Sequence, residues 1–249
     1  MSELQHPDSR SFELVADLYE RARPEYPAEA VEWLGEKLDL RENRTVLDLG
    51  AGTGKLTRAL LQTGARVIAV EPGDAMRAEL LRALPDAEAL RGAAEEIPLP
   101  DLSVDGVTVG QAFHWFRHDE ALPEIRRVLR DDGALALIWN QRDRQDPLQH
   151  EFTKLLDTFV PAGRPPSESW VGTLAASDLF RPVEEAHFPF TQELDADGLV
   201  ARIMSVSFVA AAPAGQRAEL EGRLRELAWA HGGQVSLVYE SSVYVSRVA

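Results

Sequence analysis

The sequence predicts an α/β fold in which a doubly wound, mostly parallel sheet is covered by helices on both faces. Three observations carry this expectation. Four short apolar runs, Thr45–Leu49, Arg66–Val70, Val104–Val109 and Ala134–Trp139, alternate with segments of helical spacing. These runs are almost continuously apolar, as in strands buried on both faces, and do not alternate as strands with one wet face do. The first run ends in Gly50-Ala-Gly-Thr-Gly54, the composition of a tight strand-to-helix turn.

Residues 1–44 read as helical. Phe12, Val15, Leu18 and Tyr19 recur at helical spacing, and Pro27 opens a second segment with apolar Val31, Leu34 and Leu38. Residues 45–140 form the doubly wound part, with helices expected at Leu56–Leu61, Asp74–Leu84 and Glu120–Leu129 and a short strand near Ala89. Beyond Asn140 the pattern loosens. Residues 161–169 read as a Pro/Ser-rich connection and Val183–Phe190 as a strand, with helices at Ala196–Ala211 and Ala214–His231. Val235–Val245 suits a closing edge strand. Residues 141–249 are therefore expected to complete the sheet and to carry an inserted helical cap, the whole chain forming one structural domain.

Composition narrows the functional classes. Hydrophobic residues make up 45% of the chain and charged residues 27%, the values of an ordinary folded domain. Cysteine is absent, so disulfides, thiolate metal sites and cysteine nucleophiles are excluded. Acids outnumber bases, 41 to 26, giving a net charge of −15 that repels phosphate backbones. No nucleic acid partner is expected. No stretch approaches the ~18 apolar residues of a membrane span, so no membrane partner is expected, and a cytoplasmic location is. The histidines at 6, 118, 150, 187 and 231 share no ligand spacing, and no metal is expected.

The glycine loop carries the chemistry. Backbone must approach a ligand closely at Gly50, Gly52 and Gly54, which a bound cofactor explains. The spacing is G-x-G-x-G, not the G-x-G-x-x-G of dinucleotide sites, and Asp48 stands two residues before the first glycine. A carboxylate there suits a cationic ammonium and is badly placed against a pyrophosphate. Glu71 ends the second strand, where an acid can accept hydrogen bonds from both ribose hydroxyls. A phosphate-binding P-loop is excluded because Leu56 follows Gly54-Lys55, where Ser or Thr is required, and Lys55 reads as a solvated residue opening the helix.

At these residues the chain resembles the class I S-adenosylmethionine-dependent methyltransferases, in particular the small-molecule branch called methyltransferase type 11. The resemblance covers roughly residues 40–140. It implies a Rossmann-like seven-stranded sheet with the last strand antiparallel. S-adenosyl-L-methionine is the implied cofactor, with S-adenosyl-L-homocysteine as product and the methionine moiety over Asp48, Gly50, Ala51, Gly52 and Gly54. It also implies the ribose on Glu71, the adenosine against Pro72 and Met76, and the adenine near Gly92-Ala-Ala-Glu95, including Ala94 and Glu95. Many relatives carry an acid at the position of Ala93, so that contact falls here to Glu95, main chain or water.

Ligands of open α/β sheets bind beyond the carboxyl ends of the strands, which brings Gln111, His114, Trp115 and Trp139 towards the reaction space. Gly110-Gln-Ala-Phe-His-Trp-Phe116 is similar to an element of a methyltransferase subgroup that includes the trans-aconitate methyltransferases. Tyr19-Glu-Arg-Ala-Arg-Pro-Glu-Tyr-Pro27 resembles the N-terminal lid of that subgroup. Through it Tyr19 and Arg23 would meet the methionine carboxylate or a substrate carboxylate, with a capping or ion-pair role for Arg23 as the alternative. His114 is a candidate general base, an orienting donor or a structural turn residue. Trp115 and Trp139 are candidate walls. Ser205 and Ser207 resemble substrate-facing positions, with helix packing as the alternative.

The expected function is methyl transfer to a small organic acid, phenol or similar metabolite by a monomer or homodimer. A nicotinamide-dependent oxidoreductase and a non-catalytic S-adenosylmethionine-binding sensor are the alternatives.

Overall fold

The computed structural model describes residues 16–159 and 169–249. The expected helical positions Phe12 and Val15, and the connection at 161–168, lie outside the described residues. The elements run α1 (Ala16–Ala22), α2 (Ala28–Lys37), β1 (Thr45–Leu49), α3 (Lys55–Leu61), β2 (Arg66–Val70), α4 (Asp74–Ala83), β3 (Glu88–Leu90), β4 (Val104–Gly110), α5 (His118–Val128) and β5 (Leu129–Arg142). They continue with α6 (Pro147–Asp157), α7 (Ser169–Ala175), β6 (Glu184–Asp195), α8 (Ala196–Met204), α9 (Ser207–Ala210), α10 (Ala214–Ala230) and β7 (Gln234–Arg247).

The seven strands form one sheet in the order β3-β2-β1-β4-β5-β7-β6. Strands β1 to β5 pair in parallel, and β7 runs antiparallel to both β5 and β6. The Rossmann-like sheet with its last strand antiparallel is therefore the observed fold. Strand order reverses between β1 and β4, and the gap this leaves at their carboxyl ends is the ordinary ligand crevice of such sheets.

The period-two geometry of the strands sorts their side chains into two cores. Leu47, Leu49, Val107, Val109, Leu135 and Leu137 pack with Ile125 and Val128 of α5 on one face. Val46, Ala134, Ala136 and Ile138 pack with Leu34 of α2 and Leu56 and Leu60 of α3 on the other. A third cluster lies in the cap, where Phe152 of α6, Leu199 and Ile203 of α8, and Leu220 and Leu224 of α10 enclose Leu237 and Tyr239 of β7.

Two expectations are corrected here. Val235–Val245 lies inside the sheet, between β5 and β6, and the outer edge belongs to β6. Ser241, Ser242 and Ser246 of β7 are all buried. Small hydroxyl groups tolerate burial when bonded, as Ser246 is to the Arg181 carbonyl. The single helix expected over Ala196–Ala211 is two helices, α8 and α9, because the chain turns at Ser205 and Val206. No described helix is long and apolar enough to cross a membrane.

Candidate active site

A cavity of about 410 Å³ opens at the carboxyl ends of β1, β2 and β4 and is closed by the N-terminal segment and the cap. Its floor is the turn from β1 into α3. Gly50, Gly52 and Gly54 all adopt positive φ, and they face different surroundings. A Cβ on Gly50 would stand 2.8 Å from the Ala112 Cβ, and one on Gly54 would stand 2.7 Å from Leu80 Cγ of α4. Gly52 faces no atom within 4 Å, so its side-chain direction is open space in the cavity wall.

Glu71 fastens this floor. One carboxylate oxygen accepts from the Gly52 N–H at 2.9 Å, and the other accepts from the Gly73 N–H at 2.8 Å. Asp48 lies beneath, fully buried, with Oδ2 accepting from the Thr57 hydroxyl at 2.6 Å and Oδ1 without a partner. Burial, aided by the nearby Glu71 charge, pushes the Asp48 carboxyl up to about 7. A buried carboxylate with one idle oxygen calls for a cation or a donor.

Tyr19, Arg23, Asp48, Gly50, Ala51, Gly52, Glu71, Pro72, Met76, Ala94, Glu95, Gln111 and Trp115 are brought together around the one cavity. Glu95 also accepts from the Arg117 N–H at 2.8 Å, which ties the Gly92–Glu95 turn to the end of the 110–116 segment. Gln111 holds a positive φ and donates from its amide to the Asn140 carbonyl at 3.3 Å.

Five candidates stand outside the wall. Gly54 packs on α4. Trp139, on β5, is 7% exposed and belongs to the core. His114 lies against Trp115, ring centroids 4.5 Å apart, in the 3-10 turn Phe113–Trp115, which sends Trp115 to the cavity and Phe113 into the core. Ser205 and Ser207 are buried at the α8–α9 junction, and Ser205 accepts from Arg23 Nε at 3.1 Å through its hydroxyl and from Arg23 Nη2 at 3.0 Å through its carbonyl.

Among the wall residues that the sequence reading did not assign to the site are Tyr26, Phe116 and Arg202. Tyr26 lies within the very segment read as a lid, and its hydroxyl would stand 2.5 Å from a Cβ at Gly110. Burial first, then the neighbouring Tyr19 and Asp48, hold this phenol well above its ordinary value, so it stays protonated. Phe116 packs edge-on against Phe113. Arg202 is 5% exposed on α8, where a lone arginine among Leu199, Val200 and Ile203 was the available signal.

Lys55 is not solvated. Its ammonium, 8% exposed as a residue, pairs with Glu25 at 2.6 Å and lies 3.8 Å from Glu20. Arg58 meets the same two acids, and the Thr53 hydroxyl donates to Glu20 at 2.7 Å. The N-terminal segment is thereby clamped to the start of α3, directly after the glycine loop.

The comparisons with known proteins agree with this geometry. Residues 47–137 match the methyltransferase domain family. The chain is 40% identical over 223 residues to an uncharacterised methyltransferase of Mycobacterium bovis, covering 90% of this chain and 87% of that one. The chain belongs to the methyltransferases. Its dependence on S-adenosylmethionine follows, and the oxidoreductase and sensor alternatives fall away. A proposed type II methyltransferase of Anaeromyxobacter dehalogenans superposes on this methyltransferase with a TM-score of 0.66 and 26% identity, over 91% of this chain and 97% of that one. A phosphoethanolamine N-methyltransferase of Haemonchus contortus, solved with S-adenosylhomocysteine, shares the fold at a TM-score of 0.55 and 14% identity, over 98% of this chain and 58% of that one.

Lys55→Met removes the cation that Glu20 and Glu25 share. Denaturant unfolding is expected to show a loss of about 1 kcal/mol, since Arg58 still meets both acids and Glu25 is half exposed. Amide exchange across residues 16–26 is expected to quicken while that of β1 holds. Unchanged exchange across that segment would show that the ion pairs do not hold it.

Proposed function

We propose that this methyltransferase transfers the methyl group of S-adenosylmethionine to a small molecule bound between the N-terminal segment and the cap. The observation that carries the reading is the buried, idle oxygen of Asp48 at the wall of a cavity that Glu71, at the end of the neighbouring strand, also lines. An α-ammonium answers the first group, and a ribose with two hydroxyls answers the second. The open direction at Gly52 leaves room for a ligand over the loop.

In this reading Gly50, Ala51 and Gly52 present backbone to the methionine end, and Tyr19 and Arg23 reach its carboxylate. Pro72 and Met76 flank the adenosine, and Ala94 and Glu95 meet the adenine side. The cofactor, when bound, supplies an electrophilic methyl carbon on a sulfonium. The chain's own contribution is positioning and exclusion of water, the main needs of an in-line displacement. Trp115, Phe116 and Tyr26 line the cavity and wall off solvent. The protonated Tyr26 hydroxyl can donate a hydrogen bond to an acceptor oxygen. His114 lies outside the wall and would need the 110–116 turn to move before it could take a proton, so we assign it to the turn and not to catalysis.

The enclosed cavity and the net charge of −15 favour a small metabolite over a nucleic acid, and we place the chain in the small-molecule branch of its family. Incubation with methyl-labelled S-adenosylmethionine and a cell extract is expected to put the label into species that pass a filter of a few kilodaltons. Label retained on protein or RNA would contradict the acceptor class.

Asp48 gives the cofactor site a pH signature. Its folded value lies above the ordinary carboxyl range, so the unliganded protein favours the protonated form and loses stability as pH rises towards about 7. An ammonium favours the ionised form. Affinity for S-adenosylhomocysteine is therefore expected to rise with pH through about 7 and then level, with proton release on binding near pH 6. Calorimetry in buffers of different ionisation enthalpy reads both, and Asp48→Asn should flatten the dependence. A wild-type affinity constant from pH 5.5 to 8 sinks the pairing.

A further inference from the structure

Asn140 stands near the end of β5, on the cavity wall, and its amide is only half used. Nδ2 donates to the Glu25 carbonyl of the N-terminal segment at 3.1 Å, whereas Oδ1 is buried without a partner. That bond fixes which way the amide faces, because turning it would set one carbonyl oxygen against another. The main chain beside it is fixed too. Gln111, on left-handed backbone at φ 59°, donates from Nε2 to the Asn140 carbonyl at 3.3 Å. A residue other than glycine persists in that conformation only where its surroundings hold it.

An unmatched buried oxygen is costly, and Oδ1 can be satisfied only by a hydrogen-bond donor. The cofactor reading leaves none for it. There the ammonium is answered by Asp48 and the ribose hydroxyls by Glu71, acids at the ends of β1 and β2, with β4 between them and the strand of Asn140. The donor therefore falls to the acceptor. On the same wall the Tyr26 hydroxyl stands beside Gly110 at the end of β4 and stays protonated. A hydroxyl group answers both residues, its hydrogen going to Asn140 and its oxygen accepting from Tyr26. Charge gives no contrary instruction. Arg23 and Arg202 face a cavity that Glu71, Glu95, Glu96 and Glu120 also face, so the wall calls for no anion.

We infer that Asn140 determines acceptor specificity: its Oδ1 accepts a hydrogen bond from an uncharged hydroxyl group of the acceptor, while Tyr26 donates to the oxygen of that hydroxyl. The inference rests on the cofactor reading above and adds to it the polar group that the acceptor carries. A carboxylate or an ether has no hydrogen to offer and leaves Oδ1 unmatched. Sites built around a substrate hydroxyl reject analogues that lack it far more strongly than apolar pockets reject an extra methylene, because the buried partner is left bare. Asn140 selects and orients; an amide is no base for the displacement.

The test is calorimetric titration of the protein saturated with S-adenosylhomocysteine. Phenol, benzyl alcohol and cyclohexanol are set against anisole, benzyl methyl ether and methoxycyclohexane, in which a methyl group replaces the hydroxyl hydrogen, with benzoate as the charged comparison. At least one hydroxyl compound is expected to bind, and its ether about tenfold or more weakly. Asn140→Ala should bring that compound down to the affinity of its ether and leave S-adenosylhomocysteine within about twofold of wild type, which also certifies the fold. Tyr26→Phe, which removes the donor alone, should narrow the preference without abolishing it. Four results overturn the inference: no hydroxyl compound binds, the ethers or benzoate bind as well as the hydroxyl compounds, Asn140→Ala keeps the preference, or Asn140→Ala weakens S-adenosylhomocysteine as much as the hydroxyl compound. The third would leave Oδ1 to a water shared with Ser241, its cross-strand neighbour, whose buried hydroxyl is also unmatched. The fourth would give Asn140 to the cofactor. Failure of the wild type to bind S-adenosylhomocysteine overturns the cofactor reading itself, and this inference with it.

Discussion

The turn from β1 into α3 sets where everything else can stand. It passes through left-handed backbone at Gly50, Gly52 and Gly54, a conformation that glycine alone adopts freely. Two of these positions also lack room for a side chain. Gly50 lets the 110–116 segment close in through Ala112, and Gly54 lets α4 close in through Leu80. Between them Gly52 keeps its amide for Glu71 and its open side for the cavity. Strands β1, β2 and β4 are thus drawn together at their carboxyl ends, at the point where strand order reverses. The same turn delivers Lys55 and Arg58, which hold the N-terminal segment over the site.

Charge is distributed around the cavity in a way the bulk composition conceals. The chain is strongly acidic, and most of its described arginines answer nearby carboxylates in ion pairs on the surface, where such pairs contribute little. Inside, Asp48 and Glu71 face the cavity from the ends of β1 and β2, and Arg23 and Arg202 face it from the N-terminal segment and the cap. Burial magnifies both ends, pushing the Asp48 carboxyl up and the Arg23 and Arg142 guanidiniums down. A site of this kind favours a ligand whose own charges are separated in the complementary sense.

The sheet was legible because its parallel strands are buried on both faces and so read as unbroken apolar runs. The glycine loop and Glu71 were legible because backbone geometry there restricts residue type. What failed to show in the sequence depended on contacts between distant segments. Lys55 looks exposed from its place at a helix start, and only the folded N-terminal segment, 30 residues earlier, supplies Glu25. Gly54 belongs to the loop motif, yet its reason is Leu80 of α4. Trp139 sits at a strand end that suggested a wall, but the sheet is deep enough there to bury it. Arg202 escaped notice although it is a charge in an apolar helix, because its meaning lies in the cavity that it faces. Val235–Val245 suited a closing edge strand, and only the pairing of β6 outside it puts it within the sheet.

The central claim is that the loop after β1 and the acid after β2 form a site for an adenosylated amino acid. Isothermal titration of the purified protein with S-adenosylhomocysteine, with NAD as the comparison ligand, tests it before any acceptor is known. The account predicts saturable binding of S-adenosylhomocysteine at one site and no heat from NAD. Binding of NAD without binding of S-adenosylhomocysteine would contradict it.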